Sequence, residues 1–522
     1  MSAGRARIGR ATWWLVALGV ALRIGRYAMH YPLWWDEAFL AENLLDRGYL
    51  DLLRPLDYGQ VCPVLFLWAE RSMTAVFGFS EWSLRLLPLI CAVSSVLLFR
   101  HAASRVFTGL PLLLAVGIFS TSFHPIRHAA DVKPYASDLL ASLILLALAI
   151  EWWRAPSRVG FLWILAAVAP LAVGMSHPSI FVAGGIALGL APDAIRSGRR
   201  AISALSTFAA SASATFVALY LLFTKAQSAA TLGPMRAQWG RAFPPLGDPI
   251  ALLAWLGEVH VGGMFAYPVG GENGGSAATL AVFAIGAVAL SRRGGSTVVR
   301  CVLAPFGLAL AAAALKRYPY GGVAHGSPAR VMQYLAPGIC LLSGAGAAAV
   351  LERVGDDRRR ARLVALVVAA LAAAGVVPLL VDLPRPYRSV HAQRARAFAR
   401  EFWPEVGRDA TPICLRGDLG VLERDSTNLN VAVYLCNRAI YAARRRGPIP
   451  TPGGPLRYIL PLAEVDEPRA AAWLDAMKAR HRLIRRQDIE ANMAEPGATP
   501  RVERYHVLDF EPEGPRPLGV AP

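Results

Sequence analysis

Two adjacent carboxylates, Asp36 and Glu37, follow a pair of tryptophans in the segment YPLWWDEAFLAENLLDRGY, residues 31–49. The segment comes directly after the first long apolar stretch. Its tryptophans are therefore expected at the membrane surface, where amphipathic rings prefer the headgroup level. A charge next to hydrocarbon costs free energy, and its presence there points to a function. A carboxylate at this depth can accept a proton as a general base or hold a divalent metal.

The composition of the chain predicts a polytopic α-helical membrane protein. Its 522 residues are 55% hydrophobic and 17% charged, whereas a soluble protein carries about 25% charged residues. About eleven apolar stretches are long enough to cross ~30 Å of hydrocarbon. These predicted spans are residues 11–30, 81–99, 109–123, 137–153, 160–175, 179–195, 201–223, 277–291, 298–315, 331–351 and 363–381.

The net charge of +18 is arranged in a way that orients the spans. Alternate connections between them carry clustered arginines, which positive-inside bias places in the cytoplasm. These are Arg5, Arg7 and Arg10, Arg100 and Arg105, Arg154 and Arg158, Arg196, Arg199 and Arg200, Arg292, Arg293 and Arg300, and Arg353 with Arg358, Arg359, Arg360 and Arg362. This distribution predicts a multi-pass protein of the inner (cytoplasmic) membrane and no nucleic-acid partner. The N-terminus is then cytoplasmic and the C-terminal part extracytoplasmic.

The long connections lie on the predicted outer face. VCPVLFLWAERSMTAVFGF in the first and PIALLAWLGEVHVGGMF in the second are typical of interfacial amphipathic helices. After residue 381, β-like pieces (TPICLRG, LRYILPL, RYHVLDF) alternate with helix-like ones, which predicts a small α/β domain. The expected organisation is a transmembrane domain, residues 1–381, and an extracytoplasmic domain, residues 382–522. Cys414 and Cys436 in the second domain could form a disulfide or remain separate.

Short outer loops should be poor in lysine and arginine, yet two of them are not. They are HPIRHAADVKPYASD, residues 124–138, and KRYPYGGVAHGSPARVMQY, residues 316–334, and Arg23 and Arg26 lie at the outer end of the first span. Each cation alone could snorkel to the headgroups. Together, facing two carboxylates, they are suited to an anionic lipid headgroup such as a phosphate or pyrophosphate.

At WWDEAFLAENLLDRGY and HAADVKPYASDLL the sequence resembles the GT-C glycosyltransferases of the protein O-mannosyltransferase superfamily. It is most similar to the bacterial branch that includes the aminoarabinose transferases of lipid A. The resemblance covers residues 13–381. It rests also on the pair His177–Pro178 and on the element Tyr318–Arg330. It implies a GT-C-like membrane fold. It also implies inverting transfer of a sugar from a polyprenyl-phosphate donor to an envelope acceptor, which could be lipid, polysaccharide or protein.

The resemblance also implies roles for individual residues. Asp36, with Glu37 beside it, is expected to be the catalytic or metal-binding carboxylate. A divalent cation (Mn²⁺, Mg²⁺ or Zn²⁺) bound by Asp36 stays an open alternative to a general base. The expected donor-binding residues are Asp131, Lys133, Tyr135, Tyr320 and Arg330, joined by Arg26 from the outer cations. The sequence departs from the family at His128–Ala130, where relatives often have an aromatic or tyrosine-rich approach.

Two other functions remain alternatives. A lipid or sugar transporter would show matching halves with broken spans and charges near the membrane midplane, and neither feature is evident. A non-catalytic scaffold would leave Asp36 and Lys133 dispensable. At single positions, Glu37 could cap the following helix, Asp36 could be its N-cap, and His260 could lie on the surface of an interfacial helix.

The predicted orientation can be tested with a reporter fused after Pro522. Because an odd number of spans starts from a cytoplasmic N-terminus, the reporter should be active only in the periplasm or outside the cell. Activity in the cytoplasm would contradict this orientation, because it would require either an even number of spans or an N-terminus outside.

Overall fold

The computed structural model of the chain describes residues 2–56, 59–229, 239–269, 275–321 and 328–387. Of the remaining chain it describes residues 390, 392–393, 396, 411–414, 456–461, 474–475, 477–479, 481–492 and 502–512. Helices dominate the first part. They are α1 Ser2–Ala28, α2 Trp35–Asp46, α3 Val64–Phe77, α4 Glu81–Val106, α5 Leu110–Thr121, α6 Phe123–Arg127, α7 Tyr135–Arg154, α8 Gly160–Met175, α9 Ser179–Ser197, α10 Arg199–Leu219, α11 Lys225–Ala229, α12 Pro249–Val259, α13 Gly275–Leu290, α14 Ser296–Ala314, α15 Pro328–Val331, α16 Ala336–Leu351 and α17 Asp357–Asp382.

All eleven predicted apolar stretches fall on helices, but the number of spans is not settled by them. Seven stretches of the described residues are long and apolar enough to cross a membrane, or eight if the bent pair α5–α6 is one span. One of the seven, Ser276–Ala314, contains both α13 and α14. The chain turns between them at Arg293 and Gly294, whose backbone angles are not helical. α8 is apolar but, with 16 residues, is shorter than the seven stretches.

The helices differ in how deeply they are buried. α7 and α16 lie at the centre. In the most apolar part of each helix, 72% and 78% of the residues are buried by the rest of the chain. α5 is also buried over nearly its whole length. α17 is peripheral, since only 11% of its most apolar part is buried by the rest of the chain. An apolar helix with so much uncovered surface is suited to contact with lipid.

Both predicted interfacial segments are helical, α3 and α12, and their position at a membrane surface stays a prediction. Asp248 caps α12, because its Oδ1 accepts the backbone N–H groups of Ile250 at 2.9 Å and Ala251 at 3.1 Å. In α3, Glu70 is fully buried, and neither of its carboxylate oxygens has a hydrogen-bond partner among the described residues. Burial raises the pKa of Glu70 well above its usual range, because desolvation disfavours the charged form.

The helical segment formed by α5 and α6 is broken at Ser122, where the two axes diverge by 44°. Pro125 explains the break, because its ring has no N–H and clashes with the carbonyl four residues earlier. That carbonyl belongs to Thr121, the last residue of α5. Ser122 has extended backbone angles, and its hydroxyl donates to the Ile118 carbonyl at 2.5 Å. The break turns the chain out of α5 and into the element that carries residues 124–138.

Arg23 of α1 satisfies the carbonyl groups that the break leaves without helical partners. Its guanidinium is fully buried and donates to the Ser120 carbonyl at 2.9 Å and the Phe119 carbonyl at 3.5 Å. Gly19, one turn before Arg23, allows α1 and α5 to approach closely. A Cβ on Gly19 would lie 2.7 Å from the Ser120 Cβ. Arg23, expected among the outer cations, is therefore a structural cap of α5.

The chain divides into two compact units. The first contains Met1–His30, Gly48–Met73 and Arg85–Arg385, and the second contains Tyr31–Arg47, Thr74–Leu84 and Pro386–Pro522. The domain boundary expected at residues 381–382 stays a prediction.

The second unit contains a four-stranded sheet in the order β1-β2-β4-β3. The strands are β1 Thr411–Cys414, β2 Leu456–Pro461, β3 His481–Asn492 and β4 Val502–Pro512. β1 is parallel to β2, and the other pairs are antiparallel. The three predicted strands are confirmed as β1, β2 and β4. The expected alternation with helices, and the pairing of Cys414 with Cys436, fall largely outside the described residues.

Exchange of Gly19 tests the close approach of α1 and α5. Gly19→Ala forces a methyl group into the Ser120 backbone, and such overpacking costs about 1–3 kcal/mol. The midpoint of thermal unfolding in detergent should therefore fall by several degrees. Gly9→Ala is the control on the same helix, because its Cβ would meet nothing within 4 Å. Equal midpoints for the two variants would contradict the packing.

Candidate active site

The two first-loop acids open α2, but their surroundings differ. Glu37 is only 1% exposed, and its Oε2 accepts the backbone N–H of Trp34 at 3.2 Å. This contact confirms the capping role considered for Glu37. Trp34 is the N-cap residue, so the idea that Asp36 is the N-cap is wrong. Asp36 lies in the first turn and is half-buried, and acidic side chains are common in the first turn of a helix.

Asp131, expected at the donor phosphate, is paired with a histidine. His128 Nδ1 lies 2.7 Å from Asp131 Oδ2, and both side chains are nearly fully buried, at 6% and 4% exposure. Residues 128–130 form a single 3₁₀ turn, which brings the two side chains together across three positions. In the sequence, His128 stands out only as a departure from the family pattern. Its position three residues before an acid was the signal that could have predicted the pair.

Lys133 is held in the next turn of the chain. Its backbone N–H donates to the Asp131 carbonyl at 2.7 Å, so the His128–Asp131 pair and the lysine belong to one compact turn. The lysine side chain is 8% exposed, and its Nζ donates to Gln60 Oε1 at 2.6 Å. Gln60 comes from the first outer segment, and no sequence pattern indicates it.

Tyr135, the third residue of this element, begins α7. Its ring meets the His128 imidazole edge-on, with centroids 5.1 Å apart. Its carbonyl accepts from Gln333 Nε2 at 3.4 Å. Gln333 follows Arg330 by three residues, so this hydrogen bond links the two elements that were expected to bind the donor.

Tyr320 and Arg330 lie against a different segment, residues 239–242. Arg330 stands over the Trp239 ring at 5.8 Å from its centroid. The Tyr320 backbone N–H donates to the Ala242 carbonyl at 3.0 Å, and its side chain is 1% exposed. His325, another cation of this outer loop, lies outside the described residues. No described hydrogen bond places Tyr320 in the turn of Asp131 and Lys133.

The Tyr320 hydroxyl is hydrogen-bonded to His260, which was expected on the surface of an interfacial helix. His260 Nδ1 lies 2.7 Å from the Leu256 carbonyl, which can only accept, so the ring proton is on Nδ1. Nε2 is then an acceptor for the Tyr320 hydroxyl, 3.1 Å away. Burial lowers the pKa of His260 and raises that of Tyr320, which keeps both groups neutral near pH 7.

Arg26 lies at a separate place within the first unit. Its Nη1 is 2.7 Å from Asp382 Oδ2, at the end of α17. The guanidinium and this carboxylate line a cleft with Arg127 and residues of α6 and α17. The structure therefore arranges the expected donor-binding residues of the first unit in three groups: the turn with Asp131, Lys133 and Tyr135, the cluster with Tyr320 and Arg330, and Arg26.

A divalent metal was expected as an alternative role for Asp36. Within the part of the chain that the structure describes, no three His, Cys, Asp or Glu side chains are close enough to hold a metal ion. Glu37 also directs one carboxylate oxygen to a backbone N–H. The described side chains around Asp36 therefore do not form a protein-only metal site.

No protein-family model matches the chain, and no curated protein matches it in sequence. Solved structures do match. ArnT from Cupriavidus metallidurans in the apo state is 11% identical with a TM-score of 0.52, over 96% of this chain and 98% of that chain. The same protein bound to undecaprenyl phosphate is 12% identical with a TM-score of 0.49, over 95% and 97% of the two chains.

A further solved structure is the oligosaccharyltransferase of Archaeoglobus fulgidus in its apo form. It is 11% identical with a TM-score of 0.44, over 82% of this chain and 64% of that chain. At these identities a likeness shows the fold alone. The match to apo ArnT covers nearly the whole of both chains, and it confirms the fold that the resemblance implied. The chain therefore has a GT-C-like fold, which it shares with ArnT.

Proposed function

We propose that the chain is an inverting membrane glycosyltransferase that uses a polyprenyl-phosphate sugar donor at the extracytoplasmic face. The acceptor is an envelope component. The observation that carries the proposal is the GT-C fold shared with ArnT along the whole chain. The first-loop acids and the Asp131–Tyr135 element, both present in this chain, are the sequence features that support the same activity.

Lys133 is proposed to bind the donor phosphate. The lysine is 8% exposed, and the Gln60 amide oxygen orients its ammonium group at 2.6 Å. A lysine acts on phosphate as a compact point charge. Arg330 is proposed as a second donor contact, and its planar guanidinium could form a bidentate fork with phosphate.

Asp131 is proposed to position Lys133, since its own charge would repel a phosphate. Its carboxylate contacts His128 at 2.7 Å, and its carbonyl accepts the Lys133 N–H. Loss of the carboxylate would release the turn that presents the lysine. The Tyr320 hydroxyl donates a hydrogen bond to His260 Nε2. Toward a hydroxyl of the donor sugar it would therefore act as a hydrogen-bond acceptor.

Asp36 is proposed as the general base. In the reaction, a hydroxyl or amine of the acceptor attacks the anomeric carbon from the face opposite the phosphate. The bond from this carbon to the phosphate oxygen breaks, and polyprenyl phosphate leaves with the electron pair. The acceptor proton passes to the Asp36 carboxylate. Attack from the opposite face inverts the anomeric configuration.

Asp36→Asn should abolish most of the activity. The substitution keeps the size of the side chain but removes its basicity and charge, and general-base contributions amount to about 10²–10⁴-fold. Turnover should fall by that factor, while donor binding and thermal stability stay close to wild type. The measurement is sugar transfer from a polyprenyl-phosphate donor by the purified protein. Transfer at the wild-type rate would show that Asp36 is not catalytic.

Glu37→Gln is the matched comparison, because a glutamine oxygen can still accept the Trp34 N–H. Glu37 is also a predicted catalytic residue, and this variant separates its two roles. Near-wild-type turnover would leave Glu37 as a helix cap. A loss equal to that of Asp36→Asn would indicate a shared chemical role. Addition of Mn²⁺, Mg²⁺ or Zn²⁺ after chelation then shows whether the pair acts with a metal.

Lys133→Ala should weaken donor binding. A hydrogen bond to a charged group contributes about 1.5–3 kcal/mol, so the Kd for the donor should rise about 10- to 150-fold. Lys225→Ala removes an equal charge from an exposed position of α11 and should leave the Kd unchanged. Unchanged affinity in a well-folded Lys133→Ala protein, or an equal loss in both variants, would contradict the role of Lys133.

A further inference from the structure

Asp138 is a buried acid close to the Asp131–Tyr135 element, and the proposed reaction does not use it. It lies in the first turn of α7 and is 7% exposed. No described residue donates a hydrogen bond to its Oδ1 atom, and no described cation is close enough to pair with it. A buried carboxyl oxygen without a hydrogen-bond donor costs free energy. A ligand that donates a hydrogen bond to this oxygen would remove that cost.

Gln333 presents a second open oxygen beside the start of α7. It belongs to the 3₁₀ turn Gln333–Leu335 and is 1% exposed. Its Nε2 donates to the Tyr135 carbonyl at 3.4 Å. Because a carbonyl can only accept, this contact fixes which end of the amide is the nitrogen. The Oε1 atom is buried and has no donor among the described residues, so Gln333 offers an acceptor as Asp138 does.

Two tyrosines complete the group. The rings of Tyr318 and Tyr334 meet edge-on with centroids 6.5 Å apart, and both lie within electrostatic range of the Asp138 carboxyl. The Tyr318 hydroxyl donates to the Val331 carbonyl at 3.3 Å, and the Tyr334 hydroxyl donates to Met332 Sδ at 3.8 Å. A hydroxyl has one proton, so both oxygens can only accept from a further partner. We call these four residues the Asp138 cluster: Asp138, Gln333, Tyr318 and Tyr334.

The open atoms of the Asp138 cluster share one chemistry, because each of them accepts hydrogen bonds. A phosphate group is a poor match, since its oxygens also accept and its charge would be repelled by a carboxylate. A polyprenyl chain has no donor and would leave the buried acceptors unpaired. A sugar carries several hydroxyl donors, and its apolar C–H groups can pack against tyrosine rings. A hydroxyl-bearing ring is therefore the ligand that fits the cluster.

The Asp138 cluster lies next to the lysine that is proposed to hold the donor phosphate. Lys133 and Asp138 flank Tyr135 in the chain, and Asp138 lies about 4.5 Å further along the helix axis than Tyr135. Gln333 contacts the same Tyr135 from the other side of the cluster. Tyr135 and Tyr318 are half-buried, so side chains that reach the surface border the cluster.

We propose that the Asp138 cluster binds the sugar of the polyprenyl-phosphate donor, with Asp138 and Gln333 accepting hydrogen bonds from its hydroxyl groups. The inference rests on the proposed function, since it requires the donor phosphate at Lys133. Asp138 is then a specificity-determining residue and takes no part in making or breaking bonds. It favours the sugar-bearing lipid over the bare lipid phosphate, because without the sugar the buried acceptors stay unpaired.

Binding of two ligands to the purified full-length protein tests the proposal. They are undecaprenyl phosphate and the polyprenyl-phosphate sugar that accumulates in cells without the chain. Wild type should bind the sugar-bearing lipid more tightly. Asp138→Asn replaces a carboxyl oxygen by a donor, so this preference should fall about tenfold, as for the loss of one hydrogen bond. Its Kd for undecaprenyl phosphate should stay unchanged.

Two results with Asp138→Asn would overturn the proposal. One is the full wild-type preference. The other is an equal loss of affinity for both ligands, which would show that Asp138 only supports the turn with Lys133. If Asp138→Asn does not fold, Gln333→Met decides. This variant removes the second acceptor at similar size, and its preference should also fall. An unchanged preference there would overturn the proposal.

Glu70→Gln is the matched control. Glu70 is also fully buried without a described hydrogen-bond partner, but it lies in α3 and is not part of the Asp138 cluster. The preference for the sugar-bearing lipid should therefore survive in Glu70→Gln. An equal loss of preference in Glu70→Gln and Asp138→Asn would overturn the proposal, because any buried acid would then have the same effect.

Lys133→Ala separates failure of this inference from failure of the proposed function. It should weaken the binding of both ligands by the same factor, because both carry the phosphate, and leave the preference unchanged. If no polyprenyl-phosphate sugar accumulates, or wild type binds neither ligand, the proposed function is wrong and the sugar site with it. If wild type prefers the sugar-bearing lipid but Asp138→Asn and Gln333→Met keep the full preference, only the sugar site is wrong.

Discussion

The buried guanidinium of Arg23 holds the carbonyl ends of a broken helix, and the position of residues 124–138 depends on it. Pro125 prevents α5 from continuing, which leaves the last carbonyls of α5 without intrahelical partners. In an apolar surrounding each such group costs several kcal/mol. Arg23 donates to the carbonyls of Phe119 and Ser120, and the Ser122 hydroxyl donates to that of Ile118. The break is therefore stable, and α6 can leave the direction of α5.

The consequence of the break is a short helix with two different faces. On one face the histidine pair leads into the Asp131–Lys133 turn. On the other face Arg127 meets α1 and α17. A continuous helix would have carried residues 123–130 along the axis of α5. The 44° bend instead turns these side chains across the neighbouring helices, so one proline determines the direction of both.

Much of this architecture could be predicted from the sequence, because apolar length and arginine clusters are direct consequences of the bilayer. The apolar stretches fall on helices, and the early acids and the element with Lys133 are recognisable from their residue types and spacing. Partners distant in sequence could not be predicted. Gln60 reaches Lys133 from 73 positions away, and His260 reaches Tyr320 across 60. Arg23 was expected to face a ligand, since its sequence position cannot reveal the carbonyls of a helix 97 residues later.

β3 in the second unit is another element that could not be predicted from its own sequence. Its sequence HRLIRRQDIEAN is rich in charge and lacks the alternation that predicts a half-buried strand. It forms the edge of the sheet beside β4, where charged side chains such as Arg482 and Arg485 are exposed. Charges on an edge strand prevent pairing with other chains. The strand is therefore defined by its partner, and only weakly by its own pattern.

The proposed function requires the chain to consume a polyprenyl-phosphate sugar. Mass spectrometry of lipids and envelope glycans from cells with and without the chain tests it, whichever sugar and acceptor are used. Cells that lack the chain should accumulate one polyprenyl-phosphate sugar, and the same sugar should disappear from an envelope component. If every polyprenyl-phosphate sugar and every envelope glycan has the same abundance in both cell types, the chain is not such a transferase.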